Sequence, residues 1–167
     1  MRSKADQPLS LPIAYTDSDW AGAQTDRRRS VSGYIFTLAE GPIAWKSRKQ
    51  TCVALSSNEA EYVAASETAR QATWIRWLLM DMGLINGEVP PITLRGDNVG
   101  AFSLIKAPTI TKRSKHIDVR FHYTREAVEQ GIICLETIPS YDNLADGFTK
   151  LLRTDPHERF VNMIGLN

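Results

Sequence analysis

The order of strand-like and helix-like segments is the feature that most limits the fold of this chain. Strand patterns cover residues 12–20, 31–39 and 43–49, and Glu40-Gly41-Pro42 predicts a turn that makes the last two an antiparallel hairpin. Further strands are predicted at residues 92–95 and 132–138, each after a helical stretch. This order predicts an α/β fold with a five-stranded mixed sheet, in which strands 1–3 are antiparallel, strands 4 and 5 are parallel, and helices cover both faces.

Capping residues set the expected helix boundaries. Ser56 followed by Glu59 is a capping-box pattern that starts the longest helix, and Gly83 is expected to end it. Two more helices are predicted at residues 99–106 and 116–130. A final helix is expected from 143 to 152, and the residues after it are expected to pack on the surface or to fray.

The chain is predicted to form one domain. Its 167 residues are 43% hydrophobic and 23% charged, which is typical of a globular protein. We expect residues 1–10 to be a polar tail or linker, 11–152 the main folded domain and 153–167 its C-terminal extension. Because the sequence has neither a signal-peptide pattern nor an apolar run long enough to span a bilayer, we expect a cytoplasmic or nuclear protein without a membrane partner.

Charge and cysteine content narrow the kinds of ligand. The two cysteines lie far apart and outside any metal-ligand spacing, so neither a thiolate site nor a disulfide framework is indicated. The formal net charge is only +1, so nucleic acid would have to bind at local basic clusters.

Four acidic residues, Asp17, Glu61, Asp97 and Asp146, lie in or beside predicted strands and helices. Any one of them alone is more often a solvated surface charge. Together they can converge at the carboxyl ends of the strands, where their mutual repulsion would call for a cation. Oxygen ligands without cysteine or paired histidine select Mg²⁺ or Mn²⁺, and a pair of such ions can hydrolyse a phosphodiester.

The motifs along the chain resemble one known family. YTDSDWAG, DRRRSVSGYIF, IAWKSRKQ, VALSSNEAEYVA, GDN, RSKHIDVRFHYTRE and NLADGFTK, in this order, are similar to the ribonuclease H domain of copia-type LTR retrotransposon polyproteins. The similarity runs from residue 11 to about residue 166 and implies an RNase H-like fold. It also implies cleavage of the RNA strand of RNA–DNA hybrids with two Mg²⁺ ions, which Mn²⁺ can replace, and a reverse transcriptase domain as a partner in the same polyprotein.

The resemblance implies roles for individual residues. Asp17, Glu61, Asp97 and Asp146 would be the catalytic and metal-binding residues, with Asp19 and His116 as candidate auxiliary residues. The chain has Gly96 and Thr111 where the family usually has a cysteine and often a histidine, but neither change removes a ligand. Residues 139–143 also lack the mobile histidine that some ribonucleases H carry before the last aspartate, so product release would depend on another group or be slower.

Nucleic-acid contacts are predicted from basic and polar clusters. Lys46 and Arg48 alternate with other residues on a predicted strand, which places them on one face of it. The other candidates lie in a basic loop or at predicted helix starts, where N–H groups can bind phosphate. The candidates are Lys46, Arg48, Ser56, Ser57, Asn58, Asn98, Lys112, Arg113 and Lys115, and Arg27–Arg29 forms a further basic run.

Two other functions stay open at this point. The chain could be a catalytically silent, domesticated RNase H-like module that binds nucleic acid or protein. It could also be the core of a DDE-type transposase or integrase, although such a core ends its acidic set with a glutamate on a late helix, where this chain has Asp146.

Overall fold

A five-stranded mixed sheet forms the centre of the protein. The computed structural model describes residues 11–20, 29–39, 41–85, 87, 89–107 and 118–166. The strands, in chain order, are β1 (Ile13–Asp19), β2 (Val31–Leu38), β3 (Gly41–Lys49), β4 (Ile92–Gly96) and β5 (Ile133–Thr137). Their spatial order is β3-β2-β1-β4-β5; β1, β2 and β3 pair antiparallel, whereas β4 is parallel to both β1 and β5. The predicted sheet is therefore confirmed.

The helices of the described part of the chain are α1 (Ser57–Asp81), α2 (Val99–Lys106), α3 (Asp118–Glu129) and α4 (Thr154–Met163). The Ser56 side chain accepts a hydrogen bond from the backbone N–H of Glu59, which satisfies one of the free donors of the first turn of α1. Gly83 follows the helix with a φ of 67°, a conformation that glycine adopts without strain. Both predicted ends of α1 are confirmed.

The sheet buries one core on each face. On one face α1 packs with Ala65, Ala69 and Ala72 against strand residues such as Phe36 and Leu94, and all of these side chains are fully buried. On the other face Ile35 packs with Leu144 and Ile164, together with half-buried Phe148 and Phe160. Helical segments thus cover both faces, as predicted.

Two predicted boundaries are wrong. Gly41 and Pro42 belong to β3 and not to the turn; Ala39, which follows the last residue of β2, has a φ of 49°. The helix expected over residues 143–152 is replaced by two short 3-10 helices, Ser140–Asp142 and Leu144–Phe148, and the regular helix α4 comes later.

Tertiary contacts explain the short 3-10 helices. Asn143 caps the second one by accepting a hydrogen bond from the N–H of Ala145, while its side-chain amide donates to the Thr16 carbonyl of β1 at 3.0 Å. The segment is thereby anchored to the sheet and does not continue as a helix of its own. No helix among the described residues is long and apolar enough to cross a membrane.

Candidate active site

Three carboxylates converge near the carboxyl ends of β1 and β4. Asp17 lies in β1, Asp97 directly follows β4, and Glu61 lies in the second turn of α1. One oxygen of each side chain lies within 4.8 Å of an oxygen of the other two. Asp17 and Glu61 are buried and Asp97 is half-buried, so a cation would reach this group from the Asp97 side.

Burial and mutual repulsion strongly perturb two of these carboxylates. Burial, together with the charges of Asp17 and Asp97, raises the pKa of Glu61 to about 9. Burial also raises the pKa of Asp17 to about 6, although the Thr149 hydroxyl and the Lys150 amine oppose this shift. Raised pKa values of this kind are expected where oxygen ligands are gathered for a divalent cation.

The fourth acidic residue, Asp146, lies in the 3-10 helix Leu144–Phe148, beside the three-carboxylate group but not within it. Its carboxylate accepts a 2.6 Å ion-pair hydrogen bond from Lys150, whose amine also lies 3.9 Å from Asp17. The hydroxyl of Thr149 donates to the carboxylate of Asp17. Asp146 is thus connected to Asp17 through two residues that follow it in the chain.

A further hydroxyl orients Asp97. The side chain of Ser140, in the first of the two 3-10 helices, donates to the Asp97 carboxylate at 2.5 Å. Ser140 lies in the same segment, residues 139–143, in which the sequence lacks a mobile histidine. This loop therefore contacts the site through a hydroxyl.

Two glycines allow the segment that carries Asp146 to lie against its neighbours. A Cβ on Gly33 of β2 would lie 2.7 Å from a Thr149 methyl carbon and 2.9 Å from the Cβ of Phe148. A Cβ on Gly147 would lie 2.5 Å from the ring of Phe160 in α4. The position of Asp146 thus depends on close contacts with β2 on one side and with α4 on the other.

Sequence reasoning did not identify Ser140, Thr149 or Lys150. The last two were visible in the motif NLADGFTK, where Lys150 follows Asp146 by four residues, a spacing at which opposite charges on a helical turn can pair. Ser140 had no comparable local signal, because its partner Asp97 is 43 positions away.

Two of the predicted nucleic-acid contacts, Lys46 and Arg48, lie in β3. Lys46 pairs with Tyr34 of β2 and Arg48 pairs with Ser32 of β2, and Tyr34 belongs to the core that α1 covers. Alternation along β3 thus places both residues on the face of the sheet that α1 covers.

The polar candidates lie at helix starts. Ser56 and Asn98 cap α1 and α2, Ser57 is exposed at the start of α1, and the side chain of Asn58 packs against Gly100. Asp19 ends β1 and is not part of the three-carboxylate group. The candidates that lie outside the described residues are Lys112, Arg113, Lys115, His116 and the run Arg27–Arg28.

Sequence comparison relates the chain to transposon polyproteins. The retrovirus-related Pol polyprotein from transposon TNT 1-94 of Nicotiana tabacum is 39% identical over 153 residues, which are 92% of this chain. The corresponding polyprotein from transposon RE1 of Arabidopsis thaliana is 39% identical over 163 residues, or 98% of this chain. The chain spans about 11% of the length of these curated relatives. No protein-family model matches it.

Structural comparison gives the fold of the matched segment. LC11-RNase H1 in complex with an RNA/DNA hybrid superposes with a TM-score of 0.57 at 18% identity, over 83% of this chain and 93% of that protein. Identity this low shows the fold alone, whereas the transposon relatives show descent. The chain is therefore homologous to a segment of the retrovirus-related Pol polyproteins of copia-type transposons, and this segment has a ribonuclease H-like fold.

Proposed function

We propose that this protein is a metal-dependent endoribonuclease that cuts the RNA strand of RNA–DNA hybrids. The observation that carries the proposal is the convergence of Asp17, Glu61 and Asp97, whose oxygens lie within 4.8 Å of one another. Two of these carboxylates are buried, and such a group is stable in its charged form only with a bound cation.

Mg²⁺ is the ion that the donor set fits best. All the donors are carboxylate oxygens, and no cysteine or histidine is among them. Asp17, Glu61 and Asp97 would hold one ion, and Asp146 together with Asp17 would hold a second, with Mn²⁺ able to replace both. When bound, the ions lower the pKa of a water molecule and stabilise the leaving oxygen of the phosphodiester.

The residues of the chain supply the positioning. Thr149 and Ser140 each donate a hydrogen bond to an acidic ligand, which leaves the remaining carboxylate oxygens free for metal. Asn143 anchors the Asp146 segment to β1 and so fixes the distance between the two ends of the site.

Hybrid is the proposed substrate because the chain shares its fold with LC11-RNase H1, whose structure contains an RNA/DNA hybrid. Sites of this kind recognise the 2′-hydroxyl of RNA and the shape of the backbone and do not read base edges. We propose that the exposed side chains of Ser57 and Asn58 contact the RNA strand, and that the basic clusters contact phosphates. A reverse transcriptase domain is the partner proposed from the polyprotein relatives.

A labelled-hybrid cleavage assay tests the proposal. We expect cleavage in Mg²⁺ or Mn²⁺, no turnover in Ca²⁺, and little cleavage of duplex DNA or single-stranded RNA. Asp97→Asn should abolish cleavage because the amide keeps the shape of the side chain but loses the charge that holds metal. Asp81→Asn, at the exposed end of α1, is the matched control and should cut normally.

Two outcomes would contradict the proposal. Cleavage that persists in excess chelator would exclude the metal mechanism. Tight binding of hybrid by the unaltered protein without cleavage in either metal would instead support the silent, domesticated module.

A further inference from the structure

The amine of Lys150 lies between two of the acidic residues of the site. It is 2.6 Å from Oδ1 of Asp146 and 3.9 Å from Oδ2 of Asp17, and these two carboxylates come from opposite ends of the chain. Asp17 is buried, with a side chain that is only 2% exposed, whereas the side chain of Lys150 is 44% exposed. The lysine therefore reaches inward from solvent with its charge at the carboxylates.

This arrangement differs from an ordinary surface ion pair. A pair between residues four apart on a helical turn involves two solvated groups and contributes little to stability. Lys150 also faces Asp17, which packs in the sheet, and among the residues that the structure describes Lys150 is the basic group that acts on the Asp17 carboxylate. The positive charge of Lys150 thus lies at the junction between β1 and residues 144–150, the segment that carries Asp146.

The junction is also where a second cation would bind if the proposed function is correct. The three-carboxylate group contains Asp17, Glu61 and Asp97, but Asp146 lies outside it and is paired with Lys150. Asp146 and Asp17 are the residues that would share the second ion. The ammonium group and that ion would therefore compete for the same two carboxylates.

We propose that Lys150 is a positioning residue that acts as an internal counter-ion: its ammonium group bridges Asp17 and Asp146 in the metal-free protein and is displaced when a second divalent cation binds. The inference rests on the proposed metal-dependent function. Lys150 keeps the fourth carboxylate close to the other three before metal arrives. The cost is that the second ion must compete with a charge that is already present.

The test compares Lys150→Met with the unaltered protein in two conditions. In excess chelator the variant should unfold at a lower denaturant concentration, because Asp17 and Asp146 then lack their positive neighbour. In saturating Mg²⁺ this difference should vanish or reverse, since the ion supplies the charge. Lys106→Met, at the exposed end of α2, is the matched control and should show the same small change in both conditions.

Metal binding gives a second measurement that does not depend on cleavage. Titration with Mn²⁺, followed by calorimetry, should show two sites in the unaltered protein. The weaker site should bind about fivefold more tightly in Lys150→Met, which is the size of effect expected for one opposing charge at a half-exposed position. The tighter site should change less.

The outcomes separate the inference from the proposed function. Equal destabilisation of Lys150→Met with and without Mg²⁺, or unchanged Mn²⁺ affinity, in a protein that cuts hybrid, would overturn the inference alone. A variant that folds only when metal is present would support it, whereas a variant unfolded in both conditions would overturn it. An unaltered protein that neither binds Mn²⁺ nor cuts hybrid would refute the proposed function and the inference together.

Discussion

Replacing Glu61 with glutamine is expected to remove most of the pH dependence of stability that the metal-free protein shows at neutral pH. In the folded protein, burial and the charges of Asp17 and Asp97 raise the pKa of Glu61 from 4.5 to about 9. The folded state therefore keeps a proton that the unfolded state has lost. Because the folded state binds the extra proton, its stability falls as the pH rises.

The size of the stability change follows from the pH interval between the two pKa values of Glu61. One extra bound proton changes the free energy of unfolding by about 1.4 kcal/mol per pH unit, so between about pH 6.5 and pH 8 the protein should lose about 2 kcal/mol. Asp17 adds little in this range, since its pKa is raised only to about 6. Glutamine cannot ionise, and Glu61→Gln should therefore lose much less stability over the same interval.

The assay is urea unfolding in excess chelator at several pH values. Glu126→Gln, at an exposed position of α3, is the control and should keep the pH dependence of the unaltered protein. With saturating Mg²⁺ the unaltered protein should instead gain stability relative to Glu61→Gln as the pH rises, because the ionised Glu61 is then the form that binds the ion. The same pH dependence in Glu61→Gln and in the unaltered protein would refute the reasoning, since it would mean that Glu61 is not the residue that keeps the proton.

Three further changes test other parts of the site. Gly33→Ala should destabilise the fold by about 1–3 kcal/mol in urea unfolding, because the new methyl group meets the segment that carries the fourth carboxylate, whereas Gly41→Ala, with its nearest atom at 3.8 Å, should not. Ser140→Ala should weaken Mn²⁺ binding by about tenfold through loss of the hydrogen bond that orients a ligand, with the fold unchanged by circular dichroism. Lys46→Ala combined with Arg48→Ala should lower hybrid affinity and reduce its logarithmic salt slope by about 2. An unchanged slope would exclude this strand from hybrid contact.

The sheet and the main helix could be predicted because their signals are local. Ser56 and Glu59 lie three residues apart, and Gly83 ends the helix through its own backbone conformation. The alternation of buried and exposed residues in the strands is likewise visible within a few positions. The convergence of Asp17 and Asp97 follows from the rule that ligand-binding residues gather at strand ends in α/β sheets.

The final part of the chain could not be predicted in the same way. Its conformation depends on contacts with β1 and β2, which are more than a hundred positions away: Asn143 binds the Thr16 carbonyl, and Thr149 binds Asp17. A local pattern of apolar residues therefore suggested a regular helix where tertiary contacts select short turns. The side of the sheet on which Lys46 lies also required the register of β3 against β2, which alternation alone does not give.

Asp17 and Asp146 are far apart in the sequence, and this determines when the complete site can form while the chain is being translated. A growing chain that has emerged only as far as the start of α2 contains Asp17, Glu61 and Asp97 but still lacks Ser140, Asp146 and Lys150. In the proposed mechanism such an intermediate lacks the second metal site. Translation itself would then delay nuclease activity until the segment with Ser140, Asp146 and Lys150 has been made.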